Sequence, residues 1–150
     1  MLSLRKIIIF IGLVLTLVST SLFARAFWEI RDPDLPYIAK VRAGRGDTYT
    51  VIYNSKICEQ IGQDACMFFR EHADAHAILN HPLYDPEKYT PLQEEAADCY
   101  AARVSKPKEV RAAVELMESD EAANYPITGD PKQRAKLIRD CAIKRGNWEG

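Results

Sequence analysis

All three histidines of this 150-residue chain, His72, His76 and His81, fall within ten positions. His72 and His76 are four apart, which on a helix stacks two side chains on one face with Cβ atoms about 5–6 Å apart. Two imidazole nitrogens so placed can grip one divalent metal ion, zinc above all. The same pair can instead be a hydrogen-bonded filling of the core. Phe68, Phe69, Ala75 and Leu79 share its face by the helical advance per residue. On either reading the face turns inward, away from bulk water.

A second cluster follows one loop later, in Glu94-Glu95-Ala96-Ala97-Asp98. Glu94 and Asp98 are also four apart and share a helical face. A carboxylate from a facing helix can serve as a third ligand to a two-histidine ion. A second carboxylate one turn on can accept the free ring N–H of a ligand histidine and fix its tautomer. Glu95 points elsewhere and reads as a solvated acid. Ala96 and Ala97 permit close packing of the two helices.

These two segments resemble the gluzincin branch of the zinc metallopeptidases, whose pattern is HExxH on one helix and ExxAD on the next. This chain has His72-Ala73-Asp74-Ala75-His76, then Glu94-Glu95-Ala96-Ala97-Asp98. The surroundings are similar to small exported bacterial members: Tyr53-Asn54 at a strand end, Cys58 and Cys66, Phe68-Phe69 leading into the histidine helix, and Asp98-Cys99. Asn80-His81 stands where Gly-His is common in that group. The resemblance covers residues 48–103 and, more loosely, the last helix. It implies that His72, His76 and Glu94 are zinc ligands and that Asp98 orients His72.

One position departs from the pattern. Where active members carry the glutamate that takes a proton from zinc-bound water, this chain has Ala73. Alanine carries no proton acceptor, and losing a general base costs about 10²–10⁴-fold in rate. Glu71 and Asp74 are turned about 200° and 100° around the helix from position 73 and do not replace it. Other catalytic patterns fit less well. The metzincin third histidine would fall at position 82, which is Pro, with Leu at 79 in place of the Gly turn; His81 is one residue early. There is no Gly-rich phosphate loop or Gly-x-Ser-x-Gly elbow, and Cys99 beside His76 is better explained by a disulfide than by a nucleophile.

The elements that must position these residues can be read from periodicity and breakers. Residues 27–36 contain Pro33 and Pro36 and read as an extended lead-in. Residues 37–42 alternate as a strand does. Residues 44–47 form a turn, and 48–53 are a β-branched and aromatic strand. Together they suggest an N-terminal β-hairpin. Helices are expected over 63–80, 91–103, 106–119 and 131–145. Pro82 stops the first, Pro91 and Pro107 open the next two, and Gly146 ends the last. The expected fold is α+β: a hairpin packed on four helices, with a zincin-like helix pair at the site. The strand 48–53, if at an edge, can hold an extended peptide by strand addition.

Residues 1–26 have the parts of a signal peptide: Arg5 and Lys6, an apolar run over 7–18, and Ala24-Arg25-Ala26 for cleavage. The competing reading is an uncleaved anchor, but the run is shorter than the roughly 20 apolar residues a spanning helix needs. Residues 27–150 are then one exported domain, periplasmic or secreted, with no membrane contact after cleavage. The chain has 20 basic and 21 acidic residues. Residues 1–26 hold three of the bases and no acid, which leaves 17 against 21 and a net charge of −4. Without a basic stripe, that balance argues against nucleic acid as partner.

The four cysteines, Cys58, Cys66, Cys99 and Cys141, all lie in this domain. In an oxidising compartment they imply two disulfides with three possible connectivities. A local Cys58–Cys66 loop with Cys99–Cys141 tying the last helix to the middle of the domain is the pairing expected here. Three functional readings follow: a zinc-binding zincin-like domain with impaired or absent peptidase activity that binds a peptide or protein partner, an active peptidase using another base, or a metal-free disulfide-bonded interaction domain.

Overall fold

A computed structural model describes residues 27–150; the signal-peptide reading lies outside the described residues. The chain is α+β, a small sheet followed by helices, as the periodicity predicts. The sheet differs from a simple hairpin. Strands β2 (Ala39–Ala43) and β3 (Tyr49–Tyr53) pair antiparallel with Val41 opposite Val51, as expected. The lead-in also contributes a strand, β1 (Phe27–Arg31), parallel to β3, so the order is β1-β3-β2. The strand expected at an edge, β3, is therefore central. The edge nearest the histidines is β2.

Five α-helices follow rather than four. The extra one, α1 (Ser55–Ile61), opens where the Asn54 side chain accepts the Ile57 N–H and ends at Gly62, whose φ of 86° is a backbone state suited to glycine. α2 (Gln63–Ile78) carries the histidines and stops two residues short of the expected end. α3 (Pro91–Val104) opens with a capping box in which Thr90 and Gln93 satisfy each other's backbone N–H groups. α4 (Pro107–Glu118) and α5 (Pro131–Lys144) also begin with proline, and Asp130 caps α5 by accepting the N–H groups of Lys132 and Gln133.

Two packed layers bring these elements to the site. Val41, Tyr49 and Val51 of the sheet close onto Ala73 and Ala77 of α2. On the other side Phe68 and Phe69 join Ala101, Val110, Val114, Met117 and Ile138 in the main core. Small side chains at Ala97, Ala101, Ala113, Ala135 and Ala142, all fully buried, let the helices approach closely. Disulfides Cys58–Cys66 and Cys99–Cys141 join α1 to α2 and α3 to α5, the pairing expected. Two disulfides fit an oxidising compartment. Among the described residues no helix is long and apolar enough to cross a membrane.

Candidate metal centre

The sequence brings His72, His76 and Glu94 to one point, where each offers a ligand atom and all of these atoms lie within 4.8 Å of one another. His72 and His76 come from adjacent turns of α2 and Glu94 from the first turn of α3. The two Nε2 atoms are 3.3 Å apart. Glu94 Oε1 is 3.4 Å from His76 Nε2, and Oε2 is 3.5 Å from His72 Nε2. An ion bound tetrahedrally at about 2.0–2.1 Å keeps its donors about 3.3–3.4 Å apart. Glu94 Oε1 is buried and has no hydrogen-bond partner. A buried orphan oxygen is costly, and a cation at this point would satisfy it. The donor set therefore fits a divalent ion with two nitrogens, one carboxylate and an open fourth position.

Asp98, one turn beyond Glu94, is fully buried and its Oδ1 is 2.8 Å from His72 Nδ1. It is also gripped by a residue that sequence reasoning missed. Arg134 of α5 donates from Nη2 to Asp98 Oδ1 at 2.7 Å and from Nε to Oδ2 at 2.8 Å. Arg134 Nη1 also donates to the Thr128 carbonyl at 3.0 Å and lies 3.5 Å from Glu94 Oε2. Its signal in the sequence is position: Arg134, Ile138 and Ala142 recur every four residues on the buried stripe of α5.

Electrostatics follow from this arrangement. Burial pushes the Asp98 carboxyl up, but Arg134 and His72 outweigh it and hold the pKa below the ordinary carboxylate value. An ionised Asp98 makes His72 Nδ1 the donor, which leaves Nε2 as the ligand atom of the neutral ring. Burial opposes charge on His72, yet Asp98 and Glu94 raise its pKa overall. Burial dominates at His76 and lowers its pKa. Burial likewise opposes charge on Glu94, and the two histidines and Arg134 overcome it to keep the carboxylate ionised.

Ala73 is buried on the same turn. With His72, His76, Glu94 and the β2 residues Ala39–Val41 it lines a cavity of about 30 Å³, room enough for water beside the histidines. Glu94 is the one carboxylate on that lining; Glu71 and Asp74 are not part of it. Tyr89 closes another side, stacked on His76 with ring centroids 3.6 Å apart. Burial pushes the Tyr89 phenol up to about 12, so it stays protonated at neutral pH. Glu95 is exposed, as expected, and so is Ala96, while Ala97 is buried against the neighbouring helices. No family model matches this chain, and neither a curated protein nor a solved structure does.

Proposed function

We propose that residues 27–150 are an exported, zincin-like domain that holds one zinc ion through His72, His76 and Glu94, binds an extended peptide or protein partner beside it, and cleaves it slowly or not at all. The observation that carries the reading is the triangle of two imidazole nitrogens and a carboxylate, with edges of 3.3–3.5 Å. Nitrogen-rich donors with one carboxylate suit zinc better than calcium or magnesium, which take oxygen.

Zinc held by His72, His76 and Glu94 would supply a Lewis acid. The chain's own residues do the rest. Asp98 holds His72 in the tautomer that presents Nε2, and Arg134 keeps Asp98 ionised. Proton removal is what the chain lacks. Ala73 has no acceptor, and Glu94 is committed as a ligand. The edge strand β2 borders the cavity and offers main-chain groups to an extended chain laid alongside it.

The loss of hydrolysis is tested by incubating the zinc-loaded protein with an unstructured protein substrate. The expected result is at most trace cleavage that a chelator suppresses. Rapid chelator-sensitive cleavage that disappears in His76→Ala would make the domain an active peptidase instead.

A further inference from the structure

The third histidine is not a ligand, yet it is built into the site. α2 ends in a two-bond cap in which the Asn80 N–H donates to the Ala77 carbonyl at 3.1 Å and the His81 N–H to the His76 carbonyl at 2.9 Å. Asn80 takes the left-handed backbone this cap requires, with φ 55°. That is the Schellman geometry, and it brings the side chain two places past the helix end against the side chain in the last turn. The pair brought together is ordinarily apolar. Here it is His81 against His76, and their Nδ1 atoms lie 3.0 Å apart. His76 Nε2 faces Glu94 and His72.

From this we infer that His81 is a positioning residue: it accepts the Nδ1 proton of His76 and so holds His76 in the tautomer whose Nε2 lone pair points at the metal position. The inference rests on the zinc reading above and deepens it. The tautomer of a neutral histidine is set by the hydrogen bond its other nitrogen makes. His72 has Asp98 for this purpose, and among the described residues no carboxylate is paired with His76 Nδ1. Among the described residues His81 Nδ1 is the hydrogen-bond partner of His76 Nδ1. Tyr89, flat against the His76 ring, restrains its tilt. A neutral His81 carries its own proton on Nε2 and leaves Nδ1 free to accept. The helix cap thus doubles as the outer shell of the metal centre. Such partners commonly change metal affinity by about 10- to 100-fold.

The test uses the oxidised protein, zinc titrations and ¹⁵N spectra of the imidazoles. His81→Leu keeps the apolar form of the cap but removes the acceptor, while His81→Asn offers Oδ1 near the place of Nδ1. His81→Leu is expected to bind zinc about 10- to 100-fold more weakly than wild type, and His81→Asn to recover most of that loss. Metal-free wild type is expected to show His76 protonated at Nδ1, and His81→Leu to lose that preference. Unchanged affinity and tautomer in His81→Leu would overturn the inference, as would a His76 protonated at Nε2 in the wild type. If wild type binds no zinc, the metal reading fails by itself; the metal-free tautomer still decides the role of His81.

Discussion

Asp98 and Arg134, 36 residues apart, are joined by two parallel hydrogen bonds of 2.7 and 2.8 Å inside the core. They lock α5 to the helix that carries Glu94, and they hold charged the carboxylate that orients His72. A buried pair of this kind stabilises weakly when intact but is costly to break. Arg134→Met leaves Asp98 buried without its cation. Denaturant unfolding at neutral pH is expected to show a loss of about 3–5 kcal/mol; a change under 1 kcal/mol would mean the ion pair is not buried as described.

The same pair sets an acid limit. The folded-state pKa of Asp98 is depressed, so its contribution is complete above its unfolded value and is lost as pH falls through the folded one. The carboxylate's share of the stability difference between wild type and Asp98→Asn is therefore expected to shrink as pH falls below about 4, beneath the range in which His72, whose pKa Asp98 raises, changes charge. Unfolding curves from pH 7 to pH 2 on both proteins measure it. A difference that widens as pH falls below about 4 would reverse the sign argued here.

On the proposed function, a carboxylate placed at position 73 is expected to create peptidase activity. Ala73 lines the cavity beside both histidines and Glu94. Zinc-loaded Ala73→Glu is expected to cleave an unstructured protein about 10²–10⁴-fold faster than wild type. Ala73→Gln, matched in size and without a proton acceptor, should not. Equal rates in all three proteins would count against a peptidase-like geometry.

The two disulfides should differ in worth. Cys99–Cys141 spans 42 residues and Cys58–Cys66 spans 8. Loop entropy assigns about 4 kcal/mol to the longer and about 2.5 kcal/mol to the shorter. Replacing each pair with alanines and comparing urea midpoints is expected to give that order. The reverse order would place the weight on local packing of α1 against α2.

Much of the site was legible because its signals are local. The spacings 72/76 and 94/98, the prolines at 91, 107 and 131, and the even cysteine count each act over a few residues. The rest depended on distant partners. Residues 27–31 become a strand only by pairing in parallel with 49–53, and no short window shows that. α1 was hidden because Gly62 separates it from α2 by one residue with φ near 86°. His81 looked like a loop residue, although Asn80 before it is the sort of residue that enters the left-handed state of a helix cap. Arg134 has no local motif around it, and only its place on the buried stripe of α5 signals that it requires a buried partner.

Whether His72, His76 and Glu94 hold zinc decides what the domain can do. The most direct measurement is zinc content per mole of the oxidised protein after dialysis against micromolar zinc, with His76→Ala alongside. The expected result is about one zinc in the wild type and none in the variant, as a His2Glu site requires. No zinc in the wild type, or equal zinc in both, would contradict the metal centre and leave a disulfide-tied interaction domain whose histidines fill its core.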